Sequence, residues 1–290
     1  MEGNQRCRLV NNRTPRSRAL GNALREVRLE RNIGLRQFAK EIDRDPSLLS
    51  RWETGDRSPA PTEVARILGK LGVSGDNFDD IIELAEHTDD SRWLATTLPA
   101  QRAQLAALLD LERSARSVTD TAPLLIPGLL QTSGYARAIM SGGDSVPVDE
   151  IETRVAIRMG RRMALNRPEP IHLVSLIGEA ALRQRMGSRE VMADQLGYLL
   201  EMAERPNIDM RVVPFDSDWH AGLEGSALLI ESATESSVVH LEVRASGLFL
   251  HAPADVDDYR HALGTVFEQA ANTDDSLTVI AMAKAGWESA

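Results

Sequence analysis

Ser47, Ser50, Arg51 and Thr54 recur at i, i+3, i+4 and i+7, the spacing that lines one face of a helix. A guanidinium can grip guanine O6 and N7 through two parallel hydrogen bonds, and a short hydroxyl can take a base edge or a phosphate. Leu48 lies near the start of the same stretch, where an apolar side chain can touch a thymine methyl. The chemistry open to this stripe is the reading of a DNA groove, with Arg51 as the base-gripping group. Arg57 beyond it, Arg44 before it and Arg36 further upstream suit phosphates, contacts that fix register without reading sequence.

Such a stripe needs a short rigid helix, and the flanking residues predict one. Asp45 is a good N-cap, and Pro46 follows at the first helical position, where its missing N–H costs nothing. Leu49 and Trp52 point the other way, toward a core, and Gly55 can end the helix in the left-handed conformation. Residues 35–42 predict the preceding helix, with Phe38, Ala39 and Ile42 on one face. Ala39 is small enough for two helices to cross closely. Residues 19–31, 61–71 and 77–86 carry apolar side chains at helical spacing too. Five short helices around one core are expected, an all-α domain over residues 18–87 holding a helix-turn-helix. A plain helical bundle is the competing reading; the polar outer stripe and the cap signals stand against it.

The pattern LREVRLERN…FAKEI…LLSRWETGDRSP resembles the lambda-repressor-like (Cro-like, XRE) DNA-binding domain over residues 18–73. Its most specific part is S-R-W-E-x-G-x-R-x-P at residues 50–59. The resemblance implies that Glu53 supports the fold and that Pro46, Ser47 and Arg51 face bases. The family often opens the first helix of the pair with Thr-Gln, the Gln on a phosphate; here Gly34 and Leu35 stand there. Leu35 cannot make that contact, which leaves Arg36 or Arg31 to replace it. Pro46 also removes one usual base-reading side chain.

Charge divides the chain. Of 33 Lys/Arg and 43 Asp/Glu, residues 1–72 hold 15 and 9, so a basic segment precedes an acidic remainder. That asymmetry suits a DNA-binding end on a body that repels DNA. Residues 1–17 read as a basic flexible arm for the DNA backbone or minor groove, or as an ordinary solvated tail. No run approaches the roughly 18–20 apolar residues that span a bilayer. The first residues lack the apolar centre of a secretory leader, and the one cysteine, Cys7, cannot form an internal disulfide. A reduced cytoplasmic protein, nucleoid-associated when bound to DNA, is expected.

After a junction at residues 88–103, residues 104–290 predict an α+β domain. Helices are expected at 98–118, 134–140, 147–165, 189–205, 256–271 and 276–285. Strands are expected at 123–132, 171–176, 209–215, 226–230 and 238–243. No nucleophile elbow, P-loop, dinucleotide fingerprint, paired cysteines or metal-spaced histidines occur. No catalytic residue, metal or cofactor is therefore assigned, and the enzyme reading is set aside. Candidate ligand or partner residues are Gln131 and Tyr135, four apart after a Pro-Gly turn, with Glu179, Arg183 and Arg158. Each has a plainer reading. Glu179 and Arg183 make an i,i+4 ion pair, and Arg158 belongs with Arg154, Arg161 and Arg162 to a solvated basic face. Trp219-His220 lies in the polar loop DSDWHAGLEG, either a binding loop or a surface loop.

IPGLLQTSGYARAIM at residues 126–140 is similar to the signature of a C-terminal domain common in actinobacterial regulators of the WhiJ type. RVAIRMGRRMAL, GEAALRQRMG and QLGYLLEMAERPNIDMRVVPF extend the match over residues 104–280. Such regulators join this domain to a helix-turn-helix, and their genes often lie beside one for a small partner protein. The resemblance implies a partner-responsive transcriptional regulator. A homodimer on an inverted-repeat operator follows from the few base pairs that one such helix reads. The alternative is an antitoxin-like protein that sequesters a partner and binds DNA for autoregulation.

Overall fold

The computed structural model describes residues 13–143, 146–243 and 246–289. The chain forms two compact units. The first comprises Met1–Leu111, Glu231–Val238 and Ser246–Ala252, and the second the rest.

Five helices open the first unit: α1 (Pro15–Glu30), α2 (Leu35–Glu41), α3 (Pro46–Glu53), α4 (Pro61–Lys70) and α5 (Asp76–Glu86). The all-α five-helix expectation holds. Leu20, Leu24, Phe38, Ala39, Ile42, Leu49, Val64, Ile67 and Leu68 are buried in its core. These are the residues that helical periodicity selects, and burying each Leu, Ile, Val or Phe among them is worth about 1.5–3 kcal/mol. Helix α1 starts earlier than periodicity suggests, because Thr14 caps it, accepting from Ser17 N at 3.0 Å. Positions 15–17 are therefore helix rather than flexible arm. Arg6 and Arg8 of the expected arm lie outside the described residues.

The same unit contains a two-stranded antiparallel pair, β1 (Arg92–Ala95) against β7 (Ser246–Leu250), with Trp93 opposite Phe249. Both fall where the sequence suggested connecting chain. The rings of Trp93 and Phe249 stack at 5.9 Å. Gln104 of α6 (Leu98–Ser114) donates to the carbonyls of Trp93 and Gly247.

The second unit mixes helices with a sheet, the α+β architecture expected. Its strands are β2 (Ser117–Ala122), β3 (His172–Gly178), β4 (Ile208–Val213), β5 (Ala227–Glu231) and β6 (Val238–Val243). They lie side by side in the order β6-β5-β2-β3-β4, and β2, β3 and β4 run parallel. Parallel neighbours need crossover connections. The first holds α7 (Ser133–Ser141), α8 (Ile151–Gly160) and α9 (Met163–Asn166). The second holds α10 (Glu179–Arg183) and α11 (Arg189–Ala203), and α12 (Pro253–Gln269) and α13 (Thr273–Ser289) close the chain.

Two expectations change here. The strand expected at 123–132 is instead an irregular segment with one 3-10 turn at Gly128–Leu130, preceded by β2, whose first two residues fall within the helix expected at 98–118. Pro123 and Pro127 remove ladder donors there. The single Arg-rich helix expected at 147–165 is broken into α8 and α9.

Candidate nucleic-acid interface

Helix α3 is capped as its sequence dictates. Asp45 accepts from Ser47 N at 2.7 Å and Leu48 N at 3.3 Å. Leu49, Trp52 and Glu53 are buried, whereas Pro46, Ser47, Arg51 and Thr54 are exposed and Leu48 and Ser50 half-buried. Gly55 has φ +77°, and a Cβ there would come within 2.8 Å of Ser17 O. Glycine is therefore required twice over, by conformation and by space.

Behind this face the packing is tight. A Cβ on Gly21 of α1 would lie 2.7 Å from both Trp52 O and Glu53 O, so α1 and α3 cross at backbone contact. Arg28 of α1 donates to both carboxylate oxygens of Glu53, at 2.6 and 2.7 Å, and to Ile33 O at 2.6 Å. Both partners are buried. The hydrogen bonds that Arg28 donates to Glu53 raise the Arg28 pKa against the opposing effect of burial. Charge-assisted bidentate pairs are the stronger kind, and this one ties α1, α3 and the turn after α1 together. Nothing at Gly21 or Arg28 marks this packing in the sequence; Glu53 alone is marked, through the family pattern.

The basic residues at the surface differ in what they already hold. Among the described residues, the side chains of Arg36, Arg51 and Arg57 have no hydrogen-bond or ion-pair partner. Arg44 instead forms a bidentate pair with Glu63 at 3.0 and 3.1 Å. Glu63 also takes Arg66, and hydrogen bonds from Arg66, then Arg44, hold its carboxyl below the usual range despite partial burial. Thr54 Oγ1 donates to Asp56 at 2.8 Å. Arg31 donates to Leu71 O and Gly72 O, so it closes the end of α4. Both residues expected to replace the missing glutamine are exposed, but Arg31 is engaged, and Arg36 is the one without a side-chain partner among the described residues.

The described arginines of the expected arm, Arg13 and Arg16, and Arg18 just beyond it are also engaged. Arg13 meets Asp56, Asp110 and Glu235 at 2.8–3.3 Å. Arg18, 1% exposed, bonds Asp110 and Glu235. Arg16 donates to His87 O at 3.3 Å and stacks over Trp93 at 5.4 Å. Their nearest partners are protein groups, so these three are anchors of the first unit.

In the second unit the candidate ligand or partner residues already hold protein groups. Tyr135 is fully buried and its hydroxyl accepts from Ile126 N at 3.2 Å. Gln131 donates to Ile126 O at 2.7 Å and faces Arg158 Nη1 at 3.4 Å. Buried Gln195 donates to Leu130 O and accepts from Thr132 N, so the irregular segment after β2 is held by three polar side chains. Glu179 is paired with Arg183 at 2.6 Å and accepts from Phe215 N at 3.2 Å.

Sequence reasoning missed a charged cluster centred on Asp120 of β2. Burial pushes the Asp120 carboxyl up to about 7; Glu112 and Glu242 add to this, and Arg161 and Arg158 oppose it. Arg161 forms a bidentate pair with Glu112 at 2.6 and 3.0 Å. Burial also lowers the His240 pKa. A single Asp in an otherwise ordinary strand gives no signal of this environment.

Among the described residues there is no grouping of three His, Cys, Asp or Glu suited to a metal ion, and no helix long and apolar enough to cross a membrane. Residues 105–282 match the family described as a domain of unknown function, DUF5753. Residues 19–81 match a helix-turn-helix domain, a type that binds DNA and regulates transcription. No curated protein and no solved structure matches the chain. The second match falls on α1–α5 and the first covers more than half of the sequence, so the chain belongs to the DUF5753 family and carries an XRE-like helix-turn-helix domain at its N-terminus.

Proposed function

We propose that the protein is a sequence-specific transcriptional regulator that binds an inverted-repeat operator as a homodimer through residues 18–87. The observation that carries this reading is the outer face of α3. Ser47, Ser50, Arg51 and Thr54 stand on a helix capped, crossed and ion-paired from behind, and Arg51 has no partner among the described residues. A preorganised, unneutralised guanidinium on such a helix is suited to a guanine edge. Arg36 and Arg57 take phosphates, and Arg44 does so only by leaving Glu63. Pro46 and Leu48 offer apolar surface at the leading end of the helix.

One such helix reads few base pairs, so specific affinity calls for two copies on half-sites about 34 Å apart. Residues 104–290 then serve as the effector-receiving part, with a partner polypeptide as effector, in a protein of the cytoplasm. Residues 88–103 act as the junction.

Selection of bound fragments from total genomic DNA tests the reading, with the Arg51→Ala protein in parallel. Enrichment of one inverted repeat by the unsubstituted protein, lost in the variant, is the expected result. At the selected site Arg51→Ala weakens binding by about 1–3 kcal/mol and relaxes one base position. Equal affinity of the two proteins for the best site overturns the role of Arg51.

A further inference from the structure

The carboxyl ends of the parallel strands carry an exposed apolar group. Leu124 follows β2, and Phe215, Trp219 and Leu223 follow β4; each is between 62% and 70% exposed. Ala122 pairs with Ile177, and Gly178 with Val213, so these segments leave the sheet at the same edge. Contiguous exposed apolar surface on a folded domain marks an interaction site, whereas scattered single residues do not.

Mobility does not account for the exposure, because the backbone beneath these side chains is fixed. Phe215 N donates to Glu179 at 3.2 Å, and Ser217 Oγ donates to Pro214 O at 2.9 Å. His220 is 4% exposed. A Cβ on Gly222 would come within 2.9 Å of the His220 ring and 3.3 Å of Thr121 Oγ1, so the loop lies against β2. Leu223 N donates to His220 O at 3.0 Å. Ordering on binding therefore costs little beyond the side chains.

The rim is acidic. Asp216, Asp218 and Glu224 alternate with the apolar residues, and all three are exposed. Near the start of α12, Asp258 is exposed as well and Asp255 is half-buried. Burial and then the charges of Glu224, Asp258 and Asp255 push up the Tyr259 phenol, which places these carboxylates about one point. Apolar centre and anionic rim together complement a segment with a hydrophobic face flanked by lysine or arginine.

We propose that this strand edge, from Leu124 to the loop carrying Phe215, Trp219 and Leu223, is the docking surface for a cationic amphipathic segment of a partner polypeptide. This inference rests on the reading of the DUF5753 domain as effector-receiving and names where the effector sits. Phe215 and Trp219 are the anchors, and the acidic rim sets orientation and salt dependence.

The test uses the full chain and a Leu/Lys amphipathic helical peptide of about 18 residues, with a Leu/Glu peptide of the same pattern as control. Binding of the Leu/Lys peptide is expected to blue-shift Trp219 emission and to protect amides of residues 214–225 from exchange. Phe215→Ser with Trp219→Ser is expected to weaken binding at least about tenfold. Asp216→Asn with Asp218→Asn, which leaves the apolar group in place, is expected to weaken it less and to reduce its salt dependence. Equal binding of both peptides, equal binding by the Ser variant, or protection confined elsewhere overturns the proposal. Dissociation of the protein itself into monomers in the Ser variant also overturns it, by making the surface a self-interface. DNA binding is read on the same samples: its absence from the unsubstituted protein sinks the regulator reading, whereas its retention beside failed peptide binding sinks the docking surface alone.

Discussion

Asp120→Asn isolates one electrostatic tension in the second unit. The Asp120 carboxyl moves from its ordinary 3.8 to about 7 in the folded chain. Between those values the folded state holds a proton that the unfolded chain has released, so folding stability falls as pH rises through the window. At a pH above both values the whole displacement of roughly three units is felt, on the order of 4 kcal/mol. At about pH 5 only the part between 3.8 and 5 is felt, under about 2 kcal/mol. Asparagine cannot ionise and escapes both. The advantage of Asp120→Asn over the unsubstituted chain should therefore grow by about 2–3 kcal/mol between about pH 5 and about pH 8. Comparing the two proteins cancels every other titrating group, His240 included, to the extent that its own shift is unchanged. Urea unfolding followed at the amides of β2 and β3 supplies the free energies for this unit. Parallel pH dependences of the two proteins, or a loss of stability on substitution that is larger at high pH, refute the reasoning. A carbon NMR titration of Asp120 that places its midpoint near 4 does so directly.

Three further outcomes follow from the first unit. Gly21→Ala drives a methyl into the carbonyls of Trp52 and Glu53; because backbone cannot yield cheaply, a cost at or above the usual overpacking range of about 1–3 kcal/mol is expected, read as faster amide exchange in α1 and α3 with weaker operator binding. Glu53→Gln leaves the buried Arg28 guanidinium without its anion, and unfolding of the helical unit should become easier by about 3 kcal/mol or more; an unchanged melting curve contradicts this. Arg57→Ala should reduce the slope of log affinity against log salt by about 1, and Arg44→Ala by less, since Arg44 must first give up Glu63; equal slopes for the two variants remove that distinction.

Helix α3 was legible because every signal for it is local. Asp45, Pro46 and Gly55 act on groups within one turn of themselves, and the apolar and polar faces follow from a period of 3.6. The core of α1–α5 was legible for the same reason. What escaped was set by partners distant in sequence. Arg16 and Arg18 look like parts of a basic tail until Trp93, Asp110 and Glu235 are brought to them. Strands β1 and β7 have only four and five residues, too short for period-2 alternation to stand out, and each gains its identity from the other. The segment after β2 is as apolar as a strand, but two prolines and the side chains of Gln131 and Gln195 satisfy its backbone without a ladder. Of the candidate site, the residues proposed to face DNA are named from the sequence, whereas the apolar strand edge is not. Leu124, Phe215, Trp219 and Leu223 are ordinary core types, and only the fold shows that nothing in the described chain covers them.

The anchoring of Arg18 by Asp110 and Glu235 also has a consequence in time. A ribosome adds roughly 5–20 residues each second, and Glu235 is 217 positions downstream of Arg18. The first helix of the DNA-binding domain therefore emerges about 10–40 s before one of its two principal counter-ions exists. During that interval the helices can assemble, since their apolar contacts are all local, while the start of α1 lacks its final fastening. A fragment ending near residue 87 would stay in that state permanently, with Arg18 facing neither carboxylate. Expressed alone, such a fragment is expected to fray at residues 13–18 and to understate the stability that the same helices have in the finished chain.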